Sequence, residues 1–219
     1  MIIVFSIISF ILLGIVGTVI EYIFSPEEFI QRMALFLVDV IIQAYTTLGL
    51  YKLIFTVIDS EYYEFEFKQV LPSFRMLYSY LGAVFLLAFI VTNCSVAIER
   101  LDNYPDTQLV TETVVVVIAL YFALRIMFFN TFIVDDGSGP IESLVQSFKL
   151  TKGYILKILA ILGIIVIFIA LPGVIAGYFP IASLVIIVTY PFVNIILVVT
   201  YRKLVYSHQD VDDDVSETV

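Results

Sequence analysis

The sequence predicts an all-α integral membrane protein of about six transmembrane helices, and three observations carry that reading. The residues are 61% hydrophobic and 14% charged, against about 45–50% and about 25% in soluble domains. The mean hydropathy is +1.06. The apolar residues gather in six runs, each near the roughly 20 residues that cross about 30 Å of hydrocarbon. A soluble fold of this composition would expose much of its apolar surface to water, so lipid is the simpler solvent.

The first run begins at Met1. A cleaved signal peptide has a basic leader and an apolar stretch of about 7–15 residues. Here no Lys or Arg precedes Arg32 and the run exceeds 20 residues, so a retained span is expected. Spans are expected over about 2–24, 31–58, 76–98, 109–134, 155–176 and 180–204, within a single transmembrane domain, 1–206. The division between the last two falls near 177–180, with kinks at Pro172 and Pro191, because proline removes a backbone donor. Residues 207–219, SHQDVDDDVSETV, are acidic and are expected to form a disordered cytoplasmic tail.

Basic residues near span ends stay cytoplasmic, whereas acids count for little. Six spans put nine of the eleven Lys and Arg residues on the side of the two termini, leaving Arg32 and Arg100 opposite. The expected orientation has both termini inside. Tyrosines such as Tyr22, Tyr104, Tyr154 and Tyr178 lie near the span ends, as interfacial aromatics do.

Two inside loops share a pattern at a constant offset of 74. In FKQVLPSFRMLYSY, Phe67, Val70, Leu71 and Phe74 match Ile141, Leu144, Val145 and Phe148 of IESLVQSFKLTKGY. Both sets follow i, i+3, i+4, i+7, one face of a helix. Interfacial amphipathic helices are therefore expected over about 64–75 and 140–152. Pro140 in the first turn and Glu142 two residues later support the second start. One such helix plus two spans makes a repeat unit that preserves orientation, a parallel internal repeat. Spans 1–2 lack the leading helix, so either the first unit is truncated or the true start lies upstream of Met1.

The stretch Phe132-Ile133-Val134-Asp135, Gly139 to Leu144, Ser147 and Leu150-Thr151-Lys152-Gly153 resembles a bacterial family. So do Leu48-Gly49-Leu50 with Ile58-Asp59, and Tyr201-Arg202-Lys203-Leu204. The family is the six-helix membrane domain found fused to some glycerophosphodiester phosphodiesterases, together with its stand-alone relatives. It covers most of the chain in order. Thr111-Glu112-Thr113 and a valine run stand where the family often carries Pro and Gly. The resemblance implies a multi-pass protein of the bacterial cytoplasmic (inner) membrane. It implies no activity, because these 219 residues contain no phosphodiesterase domain.

Ionisable and amide side chains inside a span are costly and are default functional candidates. Arg125 stands ten residues before Asp135, about 15 Å deep on a continuous helix, near the midplane. Asn194 lies eight residues before Arg202, about 12 Å deep by the same rise, and Arg125 and Asn194 are expected to meet. Lys52 is shallow enough to snorkel. Asp39 and Gln43, at i and i+4, share a face and could line a polar entrance or bond another helix. Asn130 and Asn93 suit bonds between helices.

No G-x-S-x-G, P-loop or H-E-x-x-H occurs. One histidine, His208, and one distant cysteine, Cys94, make no ordinary metal, haem or iron–sulfur site. No enzyme activity and no cofactor are expected. The net charge of −9 argues against nucleic acid. Membrane lipids, and another membrane protein or a second copy, are the expected partners. Two functions remain: an accessory or scaffold subunit of a membrane complex, or a small transporter or lipid-handling protein centred on Arg125.

Overall fold

The computed structural model describes residues 1–24, 29–60, 70–101, 103–178 and 184–216. Eight α-helices are described: α1 (Ile2–Phe24), α2 (Phe29–Asp59), α3 (Phe74–Glu99), α4 (Pro105–Ile126), α5 (Phe129–Asp135), α6 (Pro140–Leu150), α7 (Ile155–Ala176) and α8 (Ile186–Ser216). No strand occurs among the described residues. Six helical stretches are long and apolar enough to cross a membrane: α1, α2, α3, α4 with α5, α7 and α8. The protein is thus an all-helical, polytopic membrane protein.

The chain forms two compact units, Met1–Leu77 with Gly163–Val219, and Tyr78–Leu162. In the first, α1, α2 and α8 pack on one another. Their core is Leu48, Tyr51, Leu53 and Ile54 of α2 with Val198 and Tyr201 of α8, all nearly inaccessible. Phe55 meets Tyr201 edge-on, ring centroids 6.1 Å apart. Arg202 donates to Asp59 at 2.7 Å, tying the end of α2 to α8.

In the second unit α6 packs on α4 and α5. The stretch expected as one span over 109–134 is broken: α4 ends at Ile126 and α5 begins at Phe129. Phe128, at φ −99° and ψ 11°, sits in the sparsely allowed bridge between helix and strand conformations. After α5, Gly137 takes φ 67° and the Ser138 N–H reaches back to the Phe132 carbonyl, a left-handed helix ending that favours glycine. Pro140 then opens α6, and the Glu142 carboxylate accepts from the Gly139 N–H at 3.1 Å.

Only part of the apolar face of α6 is covered: Leu144 and Phe148 are half-buried. Ser143, Ser147, Leu150 and Thr151 are buried, whereas Ile141 and Val145 are 66% and 45% exposed. Periodicity identifies an amphipathic helix without saying which face meets protein. In lipid, apolar side chains need no protein cover and polar ones do. Of the first expected interfacial helix, 64–75, residues 64–69 lie outside the described residues; Leu71, Pro72 and Ser73 are not helical, and Phe74 already begins α3.

The C-terminal end also differs from expectation. The helix does not stop at 204; α8 continues through Ser216. Residues 207–216 hold no Gly or Pro, and extending an existing helix costs far less than starting one. The acidic run therefore has helical backbone where a disordered tail is expected.

Candidate functional site

Arg125 occupies the last turn of α4 and is only 5% exposed. Its guanidinium carbon lies 4.0 Å from the centroid of the Phe148 ring of α6, a cation–π contact. Its buried Nε has no acceptor. The break beside it exposes backbone groups that two hydroxyls of α6 satisfy. Ser147 Oγ donates to the Arg125 carbonyl at 3.0 Å and accepts from the Phe128 N–H at 3.1 Å. Thr151 Oγ1 also donates to the Arg125 carbonyl, at 3.1 Å. A buried helix break needs such partners, because no water is there to supply them.

The expected depth of Arg125 counts residues along a continuous helix to Asp135. The break interrupts that helix, within a crossing stretch that runs from Asp106 to Asp135. α4 has 22 residues, about 33 Å of helix, enough to cross about 30 Å unaided.

The other candidates are dispersed. Asn130 is half-buried, with its Oδ1 buried and without a partner. Asn194 is 6% exposed, and its amide donates to the Tyr190 carbonyl of its own helix at 2.8 Å. It belongs to the first unit and Arg125 to the second. Lys52 Nζ donates to the Leu71 carbonyl at 2.9 Å, holding the chain beyond α2. Asn93 is exposed and donates to the Phe89 carbonyl of its own helix at 2.7 Å.

Gln43 and Asp39 bond each other, Nε2 to Oδ2 at 2.9 Å. Gln43 also lines a cavity of about 310 Å³ in the first unit, with Ser6, Ser9, Thr46, Thr47 and Tyr190. Thr47 and Tyr190 hydroxyls lie 3.4 Å apart there. Ser6 and Thr46 donate to carbonyls one turn back on their own helices. The cavity is a mostly apolar cleft with a hydroxyl and amide edge and no charged side chain.

Sequence reasoning missed the residues that build the surroundings of Arg125. The available signal was the Ser143, Ser147, Thr151 spacing of four, a polar stripe along one face of α6. It also missed Gly82 of α3, where an added Cβ would lie 2.9 Å from Pro140 Cγ. Among the described residues, no three His, Cys, Asp or Glu side chains gather to hold a metal ion. No family model, no curated protein and no solved structure matches this chain.

Proposed function

We propose that this chain is a non-catalytic accessory or scaffold subunit, which packs its second unit against another membrane protein or a second copy of itself. One observation carries the reading. From Ala88 to Ala97 of α3, and from Val116 to Ala123 of α4, every residue is exposed. Lipid covers valine and phenylalanine well, but the α3 stretch also presents Thr92, Asn93 and Ser95. The Asn93 amide uses one donor within its helix, so its carbonyl oxygen is open to a neighbour. A hydrocarbon chain offers it nothing, whereas a partner helix supplies a bond of roughly 1 kcal/mol.

A photo-crosslinking side chain at position 93, activated in native membranes, tests this. A discrete protein adduct is expected. Adducts to lipid alone would overturn the reading.

The charge bias supports an orientation with both termini cytoplasmic. The exposed Ile141 and Val145 support α6 lying in the inner interface, as the second of two interfacial helices in a parallel repeat. The resemblance of the Phe132–Leu156 region to the six-helix bacterial family supports a place in the bacterial inner membrane. A periplasm-dependent phosphatase fused after Val219 is expected to be inactive; strong activity would reverse the topology.

Arg125 favours a second reading, a small transporter or lipid-handling protein. A buried cation with an unpartnered Nε suits an anionic ligand, and broken helices near a binding group are common in transporters.

A further inference from the structure

Buried guanidinium groups need an anion, and Arg125 has none of its own. Arg202, by contrast, is paired with Asp59. The guanidinium lies against the Phe148 ring, and the next charged residues after Phe148 in the chain are basic. Lys149 and Lys152 are exposed at the C-terminal end of α6, and Lys152 stands four residues after Phe148, the spacing of neighbours on one helix face. Lys157, also exposed, opens α7 with its Nζ 5.1 Å from the Tyr154 ring centroid. Glu142 stands at the opposite end of α6, occupied by the Gly139 N–H.

The outward face of α6 runs from apolar to basic. Ile141, Val145 and Lys149 follow one another at i, i+4 and i+8, and all three are exposed. On a helix lying in the interface, that stripe sets the first two residues against acyl chains and the last among headgroups. Arginine presents planar paired donors that fit phosphate oxygens two at a time. α4 is about 33 Å long, and Arg125 stands in its last turn.

We propose that Arg125, with Lys149 and Lys152, binds the phosphate of an anionic phospholipid whose acyl chain lies along Ile141 and Val145. This goes beyond the accessory reading and does not depend on it, since the site lies within one unit of the chain.

The test uses the full-length protein, delipidated in a neutral detergent, with thermal stability read against added phosphatidylglycerol, phosphatidylcholine or inorganic phosphate. Phosphatidylglycerol is expected to raise the unfolding temperature saturably, and the other two to do so only at far higher concentration. Arg125→Gln is expected to weaken the apparent affinity about thirtyfold, as loss of one partner of a buried charged contact does. Lys149→Gln with Lys152→Gln should weaken it about threefold, because exposed charges contribute less. The double variant alters only exposed side chains, so it carries the test if Arg125→Gln does not fold. Equal stabilisation by phosphatidylcholine or by inorganic phosphate would overturn the lipid assignment. Wild-type response in the double variant, or in a folded Arg125→Gln, would overturn the site.

Discussion

Ser147→Ala is expected to destabilise the protein by about 2 kcal/mol, the cost of stranding one buried polar group. The Ser147 side chain is fully buried, and its oxygen is the acceptor for the Phe128 N–H. The Arg125 carbonyl would keep Thr151 as a donor, so one orphaned group sets the cost of the single variant. Adding Thr151→Val strands the carbonyl too and should raise the loss to roughly 3–4 kcal/mol. Ser143→Ala is the control. It is equally buried, but its hydroxyl serves only the Pro140 carbonyl in its own turn, so its loss should stay below about 1 kcal/mol. Thermal unfolding in detergent compares the three. Equal midpoints for Ser147→Ala and Ser143→Ala would mean that the break between α4 and α5 does not depend on α6.

Gly82→Val is expected to cost about 3 kcal/mol, the upper part of the overpacking range. The new Cβ would stand 2.9 Å from Cγ and 3.1 Å from Cβ of Pro140. That ring is rigid and opens α6, so it cannot yield without moving the helix start. Gly82→Ala should be milder, because alanine favours helix over glycine by about 1 kcal/mol and offsets part of the clash. Pro140→Ala introduced with Gly82→Val should recover at least half the loss, a coupling expected only between residues in contact. Gly14→Val, where nothing lies within 4 Å, should show no comparable loss. Additive losses in the Gly82–Pro140 double variant would contradict the close approach of α3 to α6.

Both predictions rest on contacts that the sequence conceals, and the reason is physical. Span-length apolar runs are a one-dimensional property, so six membrane-crossing stretches were legible from hydropathy alone. The break at Met127–Phe128 carries no Pro or Gly. It is held open by hydroxyls some twenty residues downstream, and only the folded chain brings Ser147 to the Phe128 N–H. Arg125 was legible as an expensive residue, whereas the helix break that follows it was not. On α6 the apolar spacing identified an amphipathic helix, and the burial is centred on the adjoining hydroxyl-bearing face. Gly82 sits in an apolar run like any other small residue until Pro140 is placed beside it. Lys52 was readable as a snorkelling cation, while its acceptor, the Leu71 carbonyl, depends on how the chain turns after α2.

The accessory reading is tested most directly by the mass of the particle extracted from its native membrane in a mild detergent, with its components identified. The chain alone is 24.8 kDa. The account predicts a larger assembly at fixed stoichiometry, containing a second membrane protein or a second copy, and lost when Asn93 is replaced by leucine. A homogeneous particle of one chain with bound lipid would contradict it and leave the Arg125 lipid site as the function to pursue.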